Sequence, residues 1–207
     1  MGGKVSGAGG GSIHFLAFTD LESAELIAND SSSGAGGARI FLVGKTHGGA
    51  AQLKMFGSGA VDISGNISDI ATGSIEGDGT LFLGQRLLSV GHNTLSTTFS
   101  GVIQDGGASG GGGGALRKVG TSTLTLSGAN TYTGGTIVEG GTLVLDNRTG
   151  SGTGPSVVQV NSGTLGRKRD HRRRSHSWHR ERDRRLPRPG TWRHQAAHPN
   201  DSEQPDL

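Results

Sequence analysis

The chain has 207 residues, 40 of them glycine, with 31% hydrophobic and 4% aromatic residues and no cysteine. Glycine at about 19% is far above the usual 7% or so and lacks collagen's every-third-residue period; the missing cysteine excludes disulfide scaffolds and thiolate metal sites. The net charge of +3 conceals a −3 segment through Gly166 (eight basic, eleven acidic residues) and a +6 segment from Arg167 (twelve basic, six acidic).

Every residue class changes at that join. Thirty-nine glycines precede it, while both tryptophans, four of five prolines and five of eight histidines follow it. A break this sharp divides the chain into a glycine-rich region and a basic tail that need separate readings. Neither holds an apolar run of the roughly 18 residues that a membrane-spanning helix requires.

Met1–Gly11 is glycine-rich and is expected to be a disordered N-terminus, with a structured region over 12–166. Ile13–Phe18 is too short and polar for a signal-peptide core. Phe18–Asn29 has Leu21, Glu25 and Ala28 near helical spacing, with Thr19 or Asp20 as a cap. Strand is nevertheless the expectation there, because everything downstream is β.

Short apolar runs then recur: Arg39–Val43, Gln52–Phe56, Ala60–Ser64, Thr80–Leu83, Leu87–Val90, Thr123–Ser127, Thr136–Glu139, Thr142–Leu145 and Val157–Val160. Thr, Val, Ile and Leu alternate with period two, which predicts strands of four or five residues. Turns such as Gly65-Asn66, Gly77-Asp78-Gly79 and Gly140-Gly141 separate them, where glycine and asparagine accept positive φ cheaply. Leu87–Ser96 and Leu124–Thr133 look like copies of one unit at an offset of 37 residues. That period predicts a solenoid with two coils of about 18–20 residues per repeat and roughly eight coils in all. Stacked asparagines are expected to form side-chain ladders between coils. An ordered solenoid is the expectation throughout, with a disordered linker as the lesser alternative for Gly106–Gly114 alone.

Ala115–Leu145 carries more specific information. Leu116, Lys118, Gly120, Thr123–Gly128, Asn130, Tyr132–Gly134, Val138 and Gly141–Leu143 follow an L-x-K-x-G, TLTLSG-x-N-x-YTG, TxVxxGTL pattern. In this the segment closely resembles the autotransporter-associated β-strand repeat of bacterial passenger regions. The likeness extends over most of 60–166 and is only one of style before residue 60. The resemblance implies an all-β, right-handed parallel β-helix, exported and displayed at the outer surface. It also implies a structural, non-catalytic passenger or stalk segment, adhesion through the solenoid face, and no cofactor. With no signal-peptide core and no translocation-barrel strands, the chain by itself is expected in the cytoplasm, whatever its parent does.

The tail, 167–207, admits three readings. Its arginines with Trp178 and Trp192 could neutralise phosphates and stack on bases, making a nucleic-acid-binding protein the rival function. It could also be a solvated, disordered basic extension. The third reading, a frame-shifted translation, accounts best for the composition. Read one base later, Trp-His becomes glycine and Arg-Arg permits glycine. Following Val160–Gly166, the shifted frame permits VNSGTLGGNGTIGGAVTVG, a continuation of the same repeat.

The remaining motifs fail on context. Gly107–Gly111 matches G-x-S-x-G inside a polyglycine run, without the strand and helix of a nucleophile elbow. Gly44-Lys45-Thr46 has a phosphate-loop ending, but Arg39 stands where a glycine is required. Gly57–Asp62 is a single poor echo of a calcium-binding nonapeptide. Arginines around His171, His176 and His179 repel a metal cation, and His14, His47 and His92 are isolated. Asp62, Asp69, Glu76 and Asp78 are expected to be solvated turn acids. No catalytic, cofactor or metal residue is assigned. The expected partners are a cell-surface ligand and further copies of the chain, meeting through exposed solenoid ends.

Overall fold

The computed structural model describes residues 4–7, 10–31 and 36–168. The chain divides into two units, Met1–Arg169 and Asp170–Leu207. The second lies outside the described residues, and with it the expected tail disorder, His171, His176, His179, Trp178 and Trp192.

The first unit is a parallel β-helix. Its opening coil carries β1 (Lys4–Gly7), β2 (Ser12–Phe15) and β3 (Phe18–Asp20). The second coil carries β4 (Glu25–Ala28), β5 (Arg39–Leu42) and β6 (Lys45–His47), and the third β7 (Gln52–Met55), β8 (Ala60–Asp62) and β9 (Ile70–Thr72). The fourth comprises β10 (Ser74–Gly77), β11 (Thr80–Phe82) and β12 (Leu87–Val90); the fifth comprises β13 (Thr97–Phe99), β14 (Val102–Gln104) and β15 (Ala115–Lys118). The sixth has only β16 (Thr123–Leu126) and β17 (Thr136–Val138), the seventh β18 (Thr142–Leu145) and β19 (Val158–Val160), and the eighth begins with β20 (Thr164–Arg167).

These strands stack into three faces. The first face is an eight-stranded sheet, β1-β4-β7-β10-β13-β16-β18-β20, which bears out the expected eight coils. The second is β2-β5-β8-β11-β14, and the third β9-β12-β15-β17-β19, with β3 and β6 paired separately beside β9. All the strand pairs are parallel. Parallel neighbours need a long crossover between them, and here the rest of the coil supplies it.

Alternation puts one residue in two inside, and the register lines these up in columns. Leu26, Leu53, Ile75, Leu124 and Leu143 are all at most 1% exposed in one column of the first face. Ile40, Val61, Leu81 and Ile103 are completely buried along the second. Ile70, Leu88 and Leu116 do the same on the third. Each such side chain contributes about 1.5–3 kcal/mol of hydrophobic stabilisation.

Four expectations need correcting. Residues 4–7 of the supposedly disordered N-terminus form β1, whose backbone pairs in parallel with β4 from Lys4 opposite Glu25 to Gly7 opposite Ala28. The 37-residue repeat is not a structural one: β12 lies on the third face and β16 on the first. Coils are also less uniform than 18–20 residues, from 18 between Ile70 and Leu88 to 28 between Leu87 and Ala115. Finally, the structured region does not stop at Gly166, since β20 runs through the composition break to Arg167 and Lys168 N–H donates to Leu145 O at 2.9 Å. Phe18–Asn29 is strand, as expected, with β3 and β4 separated by a turn in which Glu22 has φ 45°.

Candidate functional site

The sixth and seventh coils differ from those before them by lacking a second-face strand. Residues 127–135 replace it in the sixth coil, and one side chain fills the hydrogen-bonding role of the missing strand. Asn130 is 3% exposed; its Oδ1 accepts the Ile103 N–H of β14 at 2.8 Å, and its Nδ2 donates to Gly152 O at 2.6 Å. Thr131 N–H completes the imitation by donating to Ile103 O at 3.0 Å. One amide thereby ties the fifth, sixth and seventh coils together. Asn66 and Asn93 likewise bond to backbone carbonyls of other coils, Thr46 O and Ala50 O, and not in the asparagine-to-asparagine ladder expected.

Two residues on, Tyr132 turns inward and is completely buried, its hydroxyl 2.5 Å from the Thr136 hydroxyl. Burial pushes its ionisation well above the ordinary phenol range, with the Thr136 bond opposing that shift. Lys118 occupies an inward column of the third face between Val90 and Val138. It is completely buried, its amine donates to Val119 O at 2.5 Å, and desolvation lowers its pKa. The signature residues of the repeat thus act inside the wall, holding coils together.

The motif residues singled out in the sequence do not converge. Ser109 of the G-x-S-x-G match lies in a loop, its N–H on Ser64 Oγ at 3.0 Å. Gly44 has φ 73° at a corner, Thr46 donates to Val43 O, and Lys45 sits 5.9 Å from the Phe18 ring centre. In Gly57–Asp62, Gly57 N–H donates to Asp78 at 2.7 Å and Ser58 bonds to Asp30. The Ser58 hydroxyl foremost, then the Ser31 and Ser58 amides, holds that carboxyl below its usual range. Asp69 accepts Leu87 N–H at 3.0 Å, and Glu76 pairs loosely with Lys54, whose main partner is Glu25 at 2.7 Å. Asp62 corrects the picture of solvated acids: it is 2% exposed and bonded to Ser64 and Ala108. His14 stacks on Phe41 at 4.4 Å, and His92 lies 3.2 Å from Ser89. Among the described residues no three His, Asp or Glu side chains approach as metal ligands would. A shallow concavity of about 220 Å³ is lined in part by Leu145, Asn147 and Arg167.

Fold and site together define a repeat-built β-solenoid whose distinctive side chains connect successive coils. Residues 116–145, from β15 to β18, match the passenger-associated-transport-repeat family. Over 90 residues, 44% of its length, the chain is 38% identical to the adhesin BmaC autotransporter of Brucella suis biovar 1 (strain 1330). That stretch is 3% of the relative's own length. No solved structure matches. The chain therefore carries an autotransporter-type passenger repeat region, as the resemblance in the sequence implied.

Proposed function

We propose that this chain is a non-catalytic structural segment of a surface-displayed autotransporter passenger, presenting its solenoid faces for adhesion. The observation that carries the reading is the fate of the repeat signature: Lys118, Asn130 and Tyr132 are buried in the wall, where they build the stalk. The similarity to an autotransporter adhesin supports surface placement of the parent protein. The test is display of the chain as the passenger of a heterologous autotransporter on a Gram-negative host. Surface labelling with adherence to host cells above a passenger-free control is expected. Labelled bacteria that adhere no better than the control would sink the adhesive role.

The tail is read as a frame-shifted continuation of the repeat. Supporting this, Arg167, itself exposed, follows in register Phe99, Leu126 and Leu145, which are apolar in the coils before it. Sequencing the gene decides it, and bases around codon 166 that forbid the restored frame would refute it. Self-association is the further proposal: β20 has no described neighbour on its outer edge, and Val157, Val160 and Leu165 are 80, 46 and 39% exposed beside it.

A further inference from the structure

Gly106–Gly114 has the composition of a linker but the bonding of a fastened element. The loop leaves β14 in the fifth coil and runs backwards over the outer side of the second face. At its tip Ala108 N–H donates to Asp62 Oδ2 at 2.7 Å, and Ser109 N–H to Ser64 Oγ at 3.0 Å, both in the third coil. Ser64 in turn donates from N–H and hydroxyl to Asp62 Oδ1, at 2.9 and 2.6 Å. On the way the loop crosses the fourth coil, where a side chain on Gly84 would meet Gly110 O at 2.9 Å.

Its base is closed by a second carboxylate. Asp105 accepts from Gly113 N–H at 3.2 Å and Gly114 N–H at 2.9 Å. It also accepts the Thr133 N–H at 3.3 Å and the Thr133 hydroxyl at 2.6 Å, in the sixth coil. Inside the loop Gly106 N–H reaches Gly111 O and Gly110 N–H reaches Gly107 O, at 2.9 and 3.1 Å. Asp62 lies 2% exposed and, among the described residues, is compensated by N–H and O–H donors, with no ion pair. A buried carboxylate loses heavily if such donors withdraw, so the tip is held at both partners. Glycine is required where the two meet: Gly107 has φ 102°, and a Cβ there would stand 2.6 Å from Asp62 Oδ1.

From these contacts we infer that residues 105–114 are a strap, latched at Asp62 and anchored at Asp105, that makes coils three to six open as one unit. A coil stacked only on its neighbours can peel away one at a time, as in other one-dimensional repeats. The strap adds bonds between coils that are not adjacent, and so couples their opening.

Native-state hydrogen exchange on the full chain tests this, using Asp62→Ala and Gly107→Ala. In the unaltered protein the Ala108 and Ser109 amides are expected to be protected at least tenfold more than an open glycine loop, and β8, β11, β14 and β16 to share one denaturant dependence. Asp62→Ala should abolish the tip protection and let β8 and β11 exchange separately from β14 and β16. Gly107→Ala leaves both carboxylates in place and should act in the same direction; it decides the matter if Asp62→Ala fails to fold. Unprotected tip amides in the unaltered protein, or a Gly107→Ala variant in which the four strands still exchange together, would overturn the inference.

Discussion

Asn130 and Lys118 show how much single side chains determine in a wall only one residue thick. Replacing Asn130 with alanine strands the Ile103 N–H and the Gly152 carbonyl, both paired through its amide. Each orphaned buried group costs about 1–3 kcal/mol, so Asn130→Ala should lower stability by about 2–5 kcal/mol in urea denaturation. Asn130→Asp keeps the acceptor for Ile103 and should lose less. Lys118 raises a different question, because its stem packs well while its charge is buried. Lys118→Ala leaves a cavity between Val90 and Val138 and should cost about 2–4 kcal/mol, whereas Lys118→Met keeps the stem and should stay within about 1 kcal/mol of the original. The charge also has a pH signature. Folded Lys118 gives up its proton below the ordinary 10.5, so between its lowered pKa and 10.5 the unfolded chain binds more protons. Stability therefore gains as pH rises through that window, and the gain should vanish in Lys118→Met. Measurements should stop near pH 10, because above it Tyr132 acts oppositely: burial keeps it neutral, and the unfolded state profits from ionising it.

At the scale of strands, glycine marks places where neighbouring coils touch. Gly77 closes β10 with φ 106°, and a Cβ there would stand 1.9 Å from Met55 O in the coil below. Gly77 also sits between Met55 and Phe99 in register, and its Cβ would meet the Met55 backbone and the Phe56 ring. Gly77→Ala should destabilise by more than the usual 1 kcal/mol or so of a strained φ, and thermal melts of the full chain would show it. Phe99→Ala, in the same column and completely buried, should cost about 3–5 kcal/mol. The alternating runs from Arg39 onward were legible because Leu, Ile and Val at period two identify a strand wherever it lies. Lys45–His47 and Thr97–Phe99 were not, since their pairing is dictated by the strands stacked beneath them. The apparent repeat from Leu87 to Leu124 misled for a related reason. A leucine strand followed by a glycine-asparagine corner is a local solution used on two different faces, and nothing local says which face follows. The roles of Asn130, Asp62 and Asp105 escaped sequence reasoning, because the partner that ties each to another coil lies 22 to 46 residues away.

At the scale of the described solenoid, stacking leaves at each end of the first face the edge that it pairs in the middle. Among the described residues β20 has no partner on its outer edge, so it presents backbone donors and acceptors at the spacing of the next strand, and the first face is parallel throughout. The opposite edge of that face, at β1, offers the complementary row. Joining one to the other is a head-to-tail contact, and such contacts need not close into a dimer but can continue into chains. Leu165 and Val160 add apolar surface at this end, while the exposed Leu16 and Phe18 do so near β2 and β3, at 62 and 85% exposure. Sedimentation velocity over a hundredfold range of concentration should therefore show species that grow with concentration. A charge placed in the contact, as in Leu165→Lys with Val160→Lys, should shift the distribution to monomer while leaving the strand signal in circular dichroism unchanged. The N-terminal counterpart, Phe18→Lys, should do the same if the ends meet head to tail, and should have no effect if copies associate tail to tail. A single monomeric species across the whole range would show that the outer edge of β20 is not an assembly surface.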